Sequence, residues 1–340
     1  MRDEDAARQL PALTLAGLSA PAALTLAGFS WHWALLGGAA AAGFFFFLYR
    51  MCEMPLARAV QLAFGRTAGG ILLVLTLLWT VFAAGAAAAG STAAYPEDGL
   101  QWLAPVSVLL LAAFAGWRGS DTVLRAAGVL LLLLGLGYAV LLLAAAGQVE
   151  LQWCRPWGSA QQAAKAIFTL LAAQAALYLP QAGAKGEKPG RWCALMALVP
   201  AACACAVSGV LSPQVVQRTA SPFYVMSKSL SVVGVAERFE PVVSAAMLTG
   251  FFCLTGLLTQ SAGQIAHTLC PRAQQNWCAA GACVPALAAV PLAGHVPQAA
   301  QTVMAGIFWG FLPVLTLGIV AVKKGRNNSK KRVDKRDSLW

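Results

Sequence analysis

Between residues 122 and 147 the chain reads TVLRAAGVLLLLLGLGYAVLLLAAAG, with no charged side chain after Arg125. A helix of that length, at about 1.5 Å per residue, matches the roughly 30 Å hydrocarbon thickness of a bilayer. Every face of it is apolar, so water solvates none of them. Measured against the roughly 17–25 residues that cross a bilayer, nine more runs fall at 9–28, 31–49, 68–92, 100–117, 164–182, 192–211, 239–268, 277–294 and 299–322. The expectation is an all-α, polytopic membrane protein of about ten transmembrane helices. Composition agrees: 59% of the 340 residues are hydrophobic and 11% are charged. A soluble domain carries about 25% charged residues to coat its surface. The chain therefore reads as one transmembrane domain, 1–322, followed by a basic tail, 323–340.

Orientation follows from the Lys/Arg bias of short connections. With the N-terminus inside, 19 of the 24 Lys/Arg fall on the cytoplasmic side, and without the tail the split is still 11 to 5. Both termini are expected in the cytoplasm. Trp31, Trp33, Trp102, Trp153 and Trp157 then fall at outer span ends, and Trp117, Trp192 and Trp277 at inner ends, as an interfacial belt requires. Trp79 and Trp309 sit inside spans, as packing residues or as a cavity wall. The N-terminus, Met-Arg-Asp-Glu-Asp, is acidic where a secretory leader is basic, so the first run is expected to be retained as a span.

A net charge of +11 invites a nucleic-acid reading, but eight of the cations lie in the tail from Lys323 to Arg336. No basic face interleaved with aromatics exists, which argues against nucleic acid. The tail fits either an anionic lipid surface or plain solvation. The nine cysteines show no paired CxxC spacing and read as small reduced packing residues. His32, His267 and His295 match no metal-ligand spacing. No catalytic residue, metal or cofactor is expected, and the chain is not read as an enzyme. No Asp or Glu lies deep in a span, so an acid-based proton relay is not expected either.

Two connections stand out. Residues 51–66 read as a short amphipathic cytoplasmic segment. Residues 212–238 form the longest outer connection, with helical apolar spacing from Phe223 to Val235, as a vestibule cover or a surface loop.

Discontinuous spans in corresponding positions of two halves place backbone groups at the midplane, where they bind ions or zwitterions. Five plus five spans pair the first with the sixth. Span one contains Gly17, Ser19 and Pro21, where a local break is physically reasonable, the alternative being that Pro and Gly are frequent in transmembrane helices generally. Span six contains Gln174 and Tyr178, with Pro180 and Gly183 following. A primary amide in lipid must find hydrogen-bond partners: a neighbouring helix, or a ligand or water. Gly17, Ser19, Trp79, Gln174 and Tyr178 are the candidate ligand-binding residues. Thr255, Thr259 and Ser261 offer oxygens for Na⁺, or satisfy their own backbone.

Certain stretches carry a resemblance. They are Pro222-Phe223 with Glu237-Arg238-Phe239-Glu240, Arg8-Gln9-Leu10, Trp33-Ala34-Leu35-Leu36-Gly37-Gly38, and Leu177-Tyr178-Leu179-Pro180 before a Lys-containing loop. Together they resemble the spore-germination permease family, the B subunits of germinant receptors in the amino acid–polyamine–organocation superfamily. The resemblance implies a LeuT-like fold of two inverted five-helix repeats, about 9–147 and 164–294, with 299–322 assigned to the second half. It implies a role in the inner spore membrane, where a small germinant such as an amino acid is sensed together with other receptor subunits. Glu237, Arg238 and Glu240 would then fix the loop or a subunit contact. An amino-acid or other solute transporter of the same fold, and a ligand-free membrane scaffold, are the alternatives. Family members usually carry an acidic residue in span six where this chain has Gln174.

Overall fold

The computed structural model describes the backbone of residues 2–52, 54–94, 102–179, 190–219, 221–230 and 240–337, and the side chains of these except 2–9, 94, 240 and 326–337. The described residues are almost entirely helical. In order they are α1 (Arg2–Leu26), α2 (Trp31–Met51), α3 (Leu56–Gly90), α4 (Leu103–Arg118), α5 (Ser120–Ala146), α6 (Gln161–Leu170), α7 (Gly190–Leu211), α8 (Pro213–Arg218), α9 (Pro222–Ser229), α10 (Glu240–Leu269), α11 (Gln275–Ala293), α12 (Gln298–Ala305) and α13 (Leu312–Asp337). Short 3₁₀ turns follow α3 and precede α6, at Ser91–Ala94 and Leu151–Cys154. Among the described residues seven helices are long and apolar enough to cross a membrane, and Leu10–Leu26 and Leu103–Arg118 are shorter apolar helices. In lipid the backbone has no water to bond with, so intrahelical hydrogen bonding is the available solution for a spanning segment of this kind.

α10 is the central post. It packs against α1, α3, α4, α5 and α11, and 72% of its most apolar stretch is buried, against 22% for α5. The run that opened the sequence reading is thus the most lipid-facing: Leu132 and Leu143 of α5 are 70% and 76% exposed. The α1–α10 contact is a small-residue seam, in which helices approach until backbones touch. A Cβ added to Gly17 would lie 2.9 Å from the Leu254 backbone, and one on Gly250 would collide with Ala20.

This seam corrects the reading of a local break in span one. α1 runs unbroken through Ala16–Pro21, with both Pro11 and Pro21 inside it. Pro21 removes one donor, but the helix stays continuous across it, packed against α10. Gly17 serves close approach rather than unwinding.

The segment 51–66 does form a short helix of its own. α3 breaks at Gly65, whose φ of 81° and ψ of 177° are non-helical, in a region that is essentially restricted to glycine. The chain doubles back there, so that Gly69 lies against Gln61. Lys323 of α13 caps the end of this first stretch, its Nζ donating to the Leu62 and Ala63 carbonyls at 2.9 and 2.8 Å. α13 itself passes residue 322 without interruption and continues to Asp337. Within 212–238 two short helices are described, α8 and α9; α9 covers the start of the helical spacing expected from Phe223, which is fully buried, while residues 231–235 of that spacing lie outside the described residues.

Basic connections gather at one end of the bundle. The Lys323 cap lies there, Gln61 Nε2 donates to the Thr268 carbonyl at 3.3 Å, and the Trp117 and Trp277 rings lie 6.2 Å apart. At the opposite end Trp31 Nε1 donates to the Cys154 carbonyl at 2.7 Å, and the Trp157 amide donates to Ser30 Oγ at 3.2 Å.

Candidate functional site

Span six is where helical regularity fails. α6 stops at Leu170, and residues Leu171–Tyr178 continue as a 3₁₀ helix before Leu179 turns extended. Eight residues is long for 3₁₀ geometry, whose hydrogen bonds are poorer and whose runs rarely exceed three or four residues. All eight are buried. The stretch is LAAQAALY, with neither Gly nor Pro, so its tightening comes from its surroundings. It is packed among α1, α2, α3 and α10. Ser261 of α10 reaches its Ala175 carbonyl at 2.7 Å while also facing the Leu257 carbonyl at 2.8 Å. One hydroxyl proton thus serves either of two carbonyls, one from each helix.

Gln174 is fully buried in this stretch, and neither end of its amide has a hydrogen-bond partner among the described residues. The Tyr178 hydroxyl, also fully buried, lies near Thr76 of α3 without closing a bond to it. Thr76 commits its own proton to the Leu72 carbonyl at 2.7 Å.

A second irregular segment adjoins the first. Between α12 and α13, residues Gly306–Phe311 form a π-helix, a conformation found mostly as single turns at functional positions. Pro313 follows it, and proline cannot donate to the carbonyl four residues before it, here that of Trp309. A Cβ added to Gly310 would lie 3.8 Å from Leu171, the first residue of the 3₁₀ stretch, and one added to Gly306 would lie 3.1 Å from Phe168. This segment presents Phe308 and Trp309 to Trp79 of α3, with ring centroids 6.3 and 5.4 Å apart, while Phe82 stacks on Trp79 at 5.7 Å. Trp79 and Trp309 are buried, and their indole N–H groups have no partner among the described residues.

The five candidate residues therefore separate into groups. Gln174 and Tyr178 share the 3₁₀ stretch, and Trp79 reaches it through the π segment. Gly17 is walled off by Leu254, and Ser19 donates to Ala16 of its own helix at 2.9 Å. Glu237 and Arg238 lie outside the described residues, and of Glu240 only the backbone, at the start of α10, is described.

Two further residues, Gln260 and Trp309, belong beside the five candidates, Trp309 being expected only as a packing residue or a cavity wall. Gln260 is 1% exposed, with both amide atoms unpartnered, and Thr255 Oγ1 on the same helix is also unpartnered. The signal was present, since Gln260 is an amide in the middle of an apolar run just as Gln174 is. Thr259 bonds the Gly256 carbonyl of its own helix at 3.2 Å. Among the described residues no group of three or more His, Cys, Asp or Glu is placed to hold a metal ion.

Such a collection is energetically unusual. Each buried polar group left without a partner costs about 1–3 kcal/mol, and native folds keep few of them. Gln174, Tyr178, Trp79 and Trp309 carry such atoms on and around the 3₁₀ and π segments, and Gln260 and Thr255 carry them on α10, so each can bond to a molecule that brings its own donors and acceptors. With amides, hydroxyls and indoles but no side-chain charge, these groups suit a neutral or internally neutralised guest.

No protein-family model and no curated protein sequence matches the chain. Solved structures do. A Na⁺-coupled sialic acid symporter in a substrate-bound, outward-open state superposes with a TM-score of 0.61 at 13% identity, over 89% of this chain and 77% of that one. Two mutant forms of the Eremococcus coleocola manganese transporter superpose with a TM-score of 0.50 at 14% identity, over 93% of this chain and 75% of theirs. At such identities the likeness is one of fold, and the chain has the all-helical, multi-pass fold of these membrane solute transporters.

Proposed function

We propose that this chain is a membrane solute carrier that binds a small neutral or zwitterionic molecule, such as an amino acid, against the 3₁₀ stretch of span six. The single observation behind this reading is the fully buried, wholly unpartnered Gln174 amide, set in a non-α segment of a transporter fold. In discontinuous spans, loosened backbone groups meet the substrate near the midplane. Ser261 and Tyr178 would set the geometry of that pocket, and the Trp79–Trp309 pair would wall it. Two inverted five-helix repeats, about 9–147 and 164–294, are part of this proposal, with the break confined to the second repeat. The test is uptake of labelled neutral amino acids into proteoliposomes, together with thermal unfolding of purified protein across a panel of small zwitterions. Neither uptake nor any thermal shift across the panel would leave a ligand-free scaffold as the surviving account.

A second reading makes the chain a ligand-sensing subunit of a germinant receptor in the inner spore membrane, acting with other subunits. It is favoured by the aromatic start of the family-like segment, Pro222-Phe223, which opens α9 and buries Phe223 edge-on to Tyr138 at 6.0 Å. A thermal response to an amino acid without uptake would favour this reading over transport. Co-purification of partner membrane subunits that is lost in Arg238→Ala would favour it further.

A further inference from the structure

We propose that Cys154 and Cys205 form an intramolecular disulfide on exposure to a low-molecular-weight disulfide such as oxidised glutathione, stapling the segment that leads into α6 onto α7. Their Sγ atoms lie 3.7 Å apart, and a disulfide bond of about 2.05 Å is within reach of a side-chain adjustment. The backbones that carry them are already fixed against each other. The Glu150 amide donates to the Gly209 carbonyl at 3.0 Å, one turn beyond Cys205 on α7. Gly209 permits this approach, because a Cβ there would meet Val149 at 2.7 Å and the Cys154 sulfur at 3.1 Å. From the other side, Trp31 Nε1 holds the Cys154 carbonyl at 2.7 Å. Bond formation thus demands little further ordering of the chain.

Access separates this pair from its neighbours. Cys154 and Cys205 are both partly exposed, while Cys203, two residues earlier on α7, is fully buried in the core. The chemistry is two successive exchanges. One cysteine thiolate attacks a glutathione sulfur, breaking the oxidant's S–S bond and releasing one glutathione thiolate. The second thiolate then attacks the mixed disulfide at the protein sulfur, releasing the other glutathione. The two cysteines are oxidised, one disulfide is reduced to two thiols, and the protons lost by the cysteines pass to the departing glutathiones. The product ties the 3₁₀ turn Leu151–Cys154, and with it the start of α6, to α7 and the Trp31 end of α2.

The test treats purified full-length protein with oxidised glutathione, alkylates the remaining thiols and maps the peptides by mass spectrometry. The expected product is a Cys154 peptide joined to a Cys205 peptide, two hydrogens lighter than their sum and released by dithiothreitol, with the other seven of the nine cysteines alkylated. Cys154→Ser and Cys205→Ser should each abolish it, and Cys203 should not take over in Cys205→Ser. Recovery of Cys154 and Cys205 as alkylated thiols or as stable glutathione adducts would overturn the proposal, as would pairing of Cys154 with Cys203.

Discussion

Replacing Gln174 by Met separates a ligand contact from a structural one, because the two side chains have similar volume and Met has no amide. Neither amide end has a partner among the described residues, although the residue is fully buried. Each unpartnered group costs the folded state about 1–3 kcal/mol, so removing two of them should leave the protein at least as stable as the parent. The solute should feel the opposite effect. Losing one or two hydrogen bonds, each about 1 kcal/mol net, weakens binding by about 5- to 30-fold on the scale where 1.4 kcal/mol is tenfold. Ligand at about 100 times its Kd stabilises a folded protein by about 2.7 kcal/mol. The thermal shift with an amino acid should therefore shrink markedly in Gln174→Met, while the unliganded melting temperature holds or rises. Both quantities come from one thermal-unfolding titration in detergent. A fall in unliganded stability with an unchanged ligand shift would make Gln174 a helix-to-helix linker and refute the reasoning.

Other substitutions probe the frame around the site. Gly17→Ala places a Cβ 2.9 Å from the Leu254 backbone, and such overpacking should destabilise the protein by about 1–3 kcal/mol; an unchanged melting temperature would mean the α1–α10 seam is looser than described. Gly65→Ala forces a Cβ into φ 81°, ψ 177°, with an expected loss of about 1–3 kcal/mol and faster hydrogen exchange across 56–64. Trp79→Phe keeps a ring against Trp309 and Phe308 while removing the unpartnered N–H. It should unfold near the parent's temperature yet bind solute more weakly, and unaltered binding would confine Trp79 to packing.

Sequence signals for helix breaking fall in both spans of the pair, with Pro180 and Gly183 of span six outside the described residues, and only span six departs from α geometry. Pro21 and Gly17 mark span one, which stays a continuous α-helix, because one missing hydrogen bond is a local loss and Gly17 was placed for contact with Leu254. Span six departs from α geometry within LAAQAALY, whose alanines and leucines are good helix formers. What competes there is tertiary: Ser261 draws on the Ala175 carbonyl, and the π segment packs beside the 3₁₀ stretch. Neither is close in sequence to the stretch it acts on. Gln174 and Trp79 were readable because polarity or a large ring stands out in an apolar run. Gln260 stood out equally and was passed over.

Hydropathy and the placement of cations depend on one residue at a time, so the sequence alone determined that lipid solvates this chain, roughly where its helices lie, and which polar side chains lipid would have to tolerate. Which of those side chains meet, which helix is central and which span loses its α-helical bonding depend on contacts between residues up to more than 200 positions apart, such as Trp79 with Trp309. Only the tertiary structure decides these, because a helix in lipid is locally satisfied and gives way only where a neighbour offers its backbone or its rings something better.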